Sequence, residues 1–282
     1  MKADVLVTGG SSPLGDHVLP ALVAAYPRVV ATARSEESTT RLTSAGANVV
    51  PLDLAAAALS CEVRAPLVVH LAGIRFARPV SALARAVGAE ILVAVSSASA
   101  AAVGHPARED VLRGEEELRG GVPSVSVLRP TMIYGSARDR NVQRLYRFSQ
   151  RLGRVPRISG GGRIMPVLVD DVVEALLEVM ASPAGDVRPV GGPVPVRLGE
   201  LLDEICRAGG LHRIPVRIPL SPVVTVASLF GNRAGKAVHA LQMLSSDRLV
   251  DPPGQAGFRY SPTSLGEGVA LAVRRYDKGG AS

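Results

Sequence analysis

The chain has 282 residues, 47% hydrophobic and 20% charged, with a formal charge of +7. This excludes a disordered chain and leaves room for one large core, with or without a small lobe. Aromatics are 3% and tryptophan is absent, so the core must come from Val, Leu, Ile and Ala. No basic stretch leads into an apolar run with a cleavage site, and no apolar stretch is long enough to span a bilayer. A cytoplasmic location without a membrane partner is the expectation. Cys61 and Cys206 cannot form a disulfide framework and read as free thiols. The positive charge is mostly arginine, with lysine only at Lys2, Lys236 and Lys278, and GC-rich coding accounts for that composition. A nucleic-acid partner is not expected.

In chain order, Asp4 to Thr8 is a short β-branched strand followed by a Gly/Ser turn, then a helical period from Leu14 to Ala25. Val29 to Thr32 is a second strand, with a polar helix from Glu36. Val49 to Leu52, Pro66 to Leu71, Ile91 to Val95 and Val125 to Leu128 follow as strands. Apolar strands alternating with helices predict an α/β, Rossmann-type doubly wound parallel sheet, whose ligands lie at the carboxyl ends of the strands. From Tyr134 onward the pattern loosens into helices near Val142 to Leu152, Asp170 to Met180 and Leu198 to Ala208. The whole chain reads as one domain, with a small substrate lobe built mainly from about 136–165 and 190–260.

The first turn reads Thr8-Gly9-Gly10-Ser11-Ser12-Pro13-Leu14-Gly15. Its glycines allow tight turning and close approach to a pyrophosphate at a helix N-terminus. Ser12 stands where the usual pattern has its middle glycine. The second strand ends Ala33-Arg34, without the carboxylate that holds both ribose hydroxyls of NAD. A guanidinium there suits a 2′-phosphate and favours NADP over NAD.

With these turns in place, the chain resembles the extended short-chain dehydrogenase/reductases, the NAD-dependent epimerase/dehydratase family. Asp53-Leu54 resembles the adenine-contacting pair, and His70-Leu71-Ala72-Gly73 the turn beside the adenine ribose and pyrophosphate. Ser96-Ser97 is similar to the end of the catalytic serine/threonine strand. Leu128-Arg129-Pro130-Thr131-Met132-Ile133-Tyr134-Gly135 resembles the segment after the sixth strand, and Val167 to Val173 a family helix start. The segment from Arg140-Asn141 to Gly160-Gly161-Gly162-Arg163 is closest in flavour to nucleoside-diphosphate-sugar epimerases. The resemblance implies cofactor contacts at Gly9, Gly10, Ser11, Ser12, Pro13, Leu14, Gly15, Arg34, Asp53, Leu54, Leu71, Ala72, Gly73, Ser96 and Pro130, and no metal.

The family generally uses a tyrosine acid/base with a lysine four residues later. The interval from Ser97 to Arg129 contains neither. Three readings stay open: an enzyme using other groups, a catalytically silent dinucleotide-binding sensor or partner protein, and non-redox chemistry in a repurposed pocket. For the first, the candidates are Ser97 as hydrogen-bond donor and His105, Glu109, Asp110, Glu115 and Tyr134 as acid/base groups. Arg113 could hold a ribose without titrating. Each has a plainer role: Glu115 to Glu117 as a solvated helix face, Tyr134 packed at a strand end, His70 satisfied by hydrogen bonds.

Arg140, Arg144, Arg147 and Arg151 share one helical face, flanked by Arg138, Arg154, Arg157 and Arg163. This reads either as a solvated face or as an anion site. Thr131, Arg144 and Arg163 are the candidate contacts for an anionic small-molecule substrate of nucleotide-sugar kind. By analogy with folds that pair through helices beside the fifth strand, a homodimer is the expected assembly, although the sequence itself leaves this open.

Overall fold

The computed structural model describes residues 1–56, 59, 61–139, 141–219, 247, 249–250 and 257–278. The β-branched runs form β1 (Val5–Thr8), β2 (Val29–Ala33), β3 (Asn48–Pro51), β4 (Leu67–His70), β5 (Ile91–Val95) and β6 (Ser124–Pro130). Intervening helices are α1 (Gly15–Ala25), α2 (Glu36–Ser44), α3 (Ala77–Ala86) and α4 (Arg108–Arg119). Beyond them lie β7 (Ile133–Tyr134), α5 (Val142–Leu152), β8 (Arg154–Ser159), β9 (Arg163–Ile164), β10 (Val167–Leu168), α6 (Val169–Ala181), β11 (Val187–Val190), β12 (Val196–Arg197), α7 (Leu198–Ala208), β13 (His212–Pro219) and α8 (Leu265–Lys278).

A seven-stranded sheet runs in the order β11-β6-β5-β4-β1-β2-β3. The pairings from β3 through β6 are all parallel. Order reverses between β1 and β4, the topological switch point at which doubly wound sheets open a ligand crevice. The α/β Rossmann-type reading therefore holds. Strands β1, β2 and β4 are buried along their whole length, as expected of a sheet covered on both faces.

The chain divides into two compact units. The first comprises Met1–Pro130, Val172–Pro189 and Gly257–Tyr260. Its core packs Leu6, Val30, Val68 and Leu92 of the sheet with Val80, Leu83 and Ala84 of α3 and Leu118 of α4. The second comprises Thr131–Asp171, Val190–Ala256 and Ser261–Ser282. Its core gathers Tyr134, Tyr146, Leu168, Leu201, Ile205, Val269 and Tyr276. Here β8 pairs in parallel with β13, β7 in parallel with β10, and β9 antiparallel with β12. Among the described residues, no helix is long and apolar enough to cross a membrane.

Candidate dinucleotide site

The turn between β1 and α1 is held by the glycines the sequence singles out. Gly9 has φ +75°, and a Cβ there would lie 2.3 Å from the backbone nitrogen of Ala72. A Cβ on Gly15 would lie 2.1 Å from the carbonyl oxygen of Gly10. Gly9 therefore lets the turn touch the turn after β4, and Gly15 lets α1 close on its own entry loop. The Ser12 hydroxyl accepts from the Gly15 N–H at 3.0 Å, and the Ser12 carbonyl accepts from Asp16 N–H at 3.0 Å. Ser12 thus spends its oxygen inside the turn, on the first amide of α1. The Leu14 N–H takes no part in these bonds. Pro13 has no N–H to place.

Arg41 of α2 reaches across to this turn. It donates to the Ser11 carbonyl at 3.3 Å and pairs with Asp16 at 2.7 Å. The sequence reading missed Arg41, because nothing local marks an arginine on a polar helix as a brace. Arg34 is exposed at the end of β2, with no hydrogen bond or ion pair among the described residues. Beside it, Ser35 caps α2 by accepting from Ser38 N–H at 3.3 Å. Asp53 is exposed and its carboxylate accepts from Ala55 N–H at 2.9 Å, while Leu54 is buried.

After β4, Leu71 is buried, Ala72 and Gly73 half-buried, and Gly73 has φ +90°. His70 itself is fully buried. Its Nδ1 lies 2.7 Å from the Thr8 hydroxyl and its Nε2 3.0 Å from the Gly73 carbonyl. Burial pulls its pKa down to about 4, so the ring is neutral near pH 7.

At the end of β5, Ser97 caps a short 3-10 turn. Its oxygen accepts from Ser99 N–H at 3.2 Å and from the Ser99 hydroxyl at 2.8 Å. With both acceptor positions in use, its remaining capacity is to donate. Ser96 donates to Glu115 at 2.6 Å. Glu115 is 1% exposed and holds Arg129 in a bidentate ion pair, with Nε at 2.9 Å and Nη2 on the second oxygen. The solvated face expected for Glu115 to Glu117 is corrected for Glu115, whereas Glu116 and Glu117 are exposed as expected. Val111, Glu115 and Leu118 lie at spacings of four and three on the buried face of α4. Both Glu115 oxygens are committed to neighbours, so this carboxylate serves as a tie between α4, β5 and β6. Glu109 is exposed on the first turn of α4, and Asp110 pairs with Arg113. His105 is half-buried, and its Nδ1 accepts from Ala107 N–H at 3.1 Å. Pro130 is buried at the end of β6.

Three candidate residues and Tyr134 belong to the second unit. Tyr134 is 1% exposed and packs against Gly268, where a Cβ would stand 2.2 Å from its hydroxyl. Burial pushes its pKa up, which disqualifies it as an acid/base near neutral pH. It is a core residue. Thr131 donates its hydroxyl to the Met165 carbonyl. Arg163 is exposed and tied to Asp247, which accepts from its backbone N–H at 2.7 Å and its guanidinium at 3.4 Å. Arg144 and Arg151 are exposed on α5, but Arg147 donates to the Tyr276 carbonyl, so the arginine face is not uniformly solvated. Arg140 lies outside the described residues, as does most of the stretch from 220 to 256 assigned to the lobe.

No family model matches this chain, and no curated protein matches it in sequence. Solved structures do match it. A UDP-glucose 4-epimerase from Thermotoga maritima, solved with UDP-glucose, is 18% identical over 99% of each chain, with a TM-score of 0.72. An NADPH-dependent quinone oxidoreductase from Escherichia coli, complexed with NADPH, is 18% identical over 94% of this chain and 98% of that one, also with a TM-score of 0.72. The Bordetella bronchiseptica enzyme WbmH, in complex with NAD+, is 14% identical over 99% of each chain, with a TM-score of 0.72. At these identities the likeness establishes the fold, the Rossmann-type architecture shared by these epimerases and reductases.

Proposed function

We propose that this protein is a dinucleotide-dependent enzyme of epimerase or reductase type, binding NADP in preference to NAD. The observation that carries this reading is the Gly9–Gly15 cradle, where added methyls would strike backbone at 2.3 and 2.1 Å. The residues present fit the cofactor. The turn from Gly9 to Leu14 would receive the pyrophosphate, Asp53 and Leu54 would flank the adenine, and the exposed Arg34 would take the 2′-phosphate. A bound nicotinamide supplies a hydride donor or acceptor. Around it, Ser97 would donate a hydrogen bond to a substrate oxygen, and Glu109 remains the exposed carboxylate free to move a proton. An anionic small molecule, of nucleotide-sugar kind, is the proposed substrate, and the exposed Arg144 is its proposed cationic contact. Arg163 would first have to leave Asp247.

The experiment is a titration of NADPH and NADH into the protein and into Arg34→Ala, followed by reduced-nicotinamide fluorescence. Loss of a charge-assisted bond to the 2′-phosphate should cost about 1.5–3 kcal/mol, roughly 10- to 100-fold, for NADPH alone. Equal weakening of both, or of neither, sinks the NADP assignment. A second reading, a catalytically silent dinucleotide-binding protein, is favoured by the commitment of Glu115 to Arg129 and by the absence of tyrosine and lysine between Ser97 and Arg129. Tight NADPH binding without turnover across sugar nucleotides, ketones and quinones would favour it.

A further inference from the structure

His70 performs no chemistry in the reading above, yet it stands at the junction of the two turns that form the cradle. Its bonds fix its tautomer. A carbonyl can only accept, so Nε2 carries the hydrogen that goes to Gly73, 3.0 Å away. Nδ1 is then bare, and the Thr8 hydroxyl must be the donor at 2.7 Å. Thr8 immediately precedes Gly9, and Gly73 immediately follows Ala72. These are the positions between which Gly9 makes its closest approach, 2.3 Å from a would-be Cβ to Ala72 nitrogen. The Leu71 N–H donates to the Thr8 carbonyl at 2.8 Å and closes the same junction through the backbone. Gly73, at φ +90° with open space where a Cβ would stand, is half-buried, and its carbonyl also accepts from the Phe76 N–H at 3.1 Å. That bond is local to the turn after β4, and the imidazole is the side chain that ties the turn back to Thr8.

We propose that His70 is a positioning residue for the dinucleotide: its ring braces the turn after β1 against the turn after β4, and so sets the spacing of the backbone that meets the pyrophosphate. The proposal rests on the dinucleotide reading of this site. His70 is fully buried and acts only through Thr8 and Gly73. No single shorter side chain replaces it. Asparagine can place an acceptor where Nδ1 sits but cannot reach Gly73 as well.

The test measures two ligands and one stability. NADPH and adenosine 2′-phosphate are titrated into the wild type, Thr8→Val, His70→Asn and His70→Phe at pH 7.5, with Tm recorded for each. His70→Phe should weaken NADPH roughly 10- to 100-fold, the size expected when a buried hydrogen-bonding partner is removed and the groups it satisfied are left unpaired. His70→Asn should recover part of that loss, and Thr8→Val should lose a comparable part. Adenosine 2′-phosphate carries no pyrophosphate, and its affinity should stay within about twofold throughout. Parallel weakening of both ligands, or a fall in Tm with NADPH affinity unchanged, overturns the proposal. Should His70→Phe fail to fold, the near-isosteric Thr8→Val carries the same test. A wild type that binds neither NADPH nor NADH overturns the dinucleotide reading itself, and this is seen before any substitution is compared.

Discussion

Two ends of one sheet edge are built on different principles. The end at β1, β2 and β4 is a backbone site: Gly9, Gly15 and Gly73 remove side chains, and Thr8, His70 and Arg41 hold the resulting turns from behind. The end at β5, β6 and α4 is a side-chain site: Ser96, Glu115 and Arg129 are locked to one another, and Ser97 accepts twice from Ser99 and keeps its own hydrogen to donate. Binding a pyrophosphate needs close approach and fixed amides, which glycine supplies. Acid–base chemistry needs a titratable group with spare capacity, and the buried carboxylate at this end has none. The end proposed for the nucleotide is thus built of backbone, while at the other end a carboxylate has become structure.

The largest effect should come from filling the backbone site. Gly9→Ala places a methyl 2.3 Å from Ala72 nitrogen at a φ of +75°, and the turn cannot yield without breaking its contact with the β4 turn. We expect loss of more than about 4 kcal/mol, or failure to fold, by urea denaturation. Gly73→Ala meets no atom and should cost only the strain of its dihedrals, about 1–3 kcal/mol. If the two variants were equally damaging, steric closeness at Gly9 would not be what holds this end together.

Next is the chemical end. Glu115→Ala removes a 1% exposed carboxylate and strands Arg129, which is itself only 20% exposed. Breaking such a pair from one side should cost about 3–5 kcal/mol. NADPH affinity of the folded fraction should change by less than about threefold, because the pyrophosphate end does not lean on Glu115. A large loss of NADPH affinity at preserved stability would mean that the two ends are not separable.

A smaller effect is carried by pH. The His70 pKa is lowered from 6.5 to about 4. The unfolded chain therefore takes up a proton, as pH falls below about 6.5, that the folded ring refuses until about pH 4. Stability from the neutral ring is fully present above 6.5 and declines between 6.5 and 4, by up to about 3 kcal/mol. Urea unfolding at pH 7.5, 5.5 and 4.5 should show a steeper decline for the wild type than for His70→Phe. Parallel declines would place the imidazole in contact with water.

The legibility of these features follows their range. Strands and the tight glycine turn after β1 were readable because β-branched runs and glycines are local signals. Helix α3 was not read, since Arg78 and Pro79 break the apolar period, although proline is tolerated in a first turn. Glu115 looked like one of three solvated glutamates, although its spacing from Val111 and Leu118 marked the buried face. The β8–β13 pairing joins segments more than fifty residues apart, one of them carrying Arg154, Pro156 and Arg157, and no local pattern announces it. Tyr134 was ambiguous for a related reason. A strand-end tyrosine reads alike whether its hydroxyl meets solvent or, as here, a helix glycine from far along the chain.

The smallest effect tests the outer face of α4, opposite Glu115. Asp110 and Arg113 form an ion pair there, with side chains 72% and 70% exposed. Solvent screens such a pair, and holding two flexible side chains together offsets most of its attraction. Asp110→Asn should therefore shift Tm by less than about 2 °C, whatever the protein concentration. This helix follows the fifth strand, the place where the analogy in the sequence reading put a homodimer's pairing face. A homodimer that used this face would bury both charges. The same substitution would then cost several degrees, and the loss would deepen on dilution, as the partner that shields Arg113 departs. A single melting series across protein concentration separates a solvated face from an assembly face, without any knowledge of the substrate.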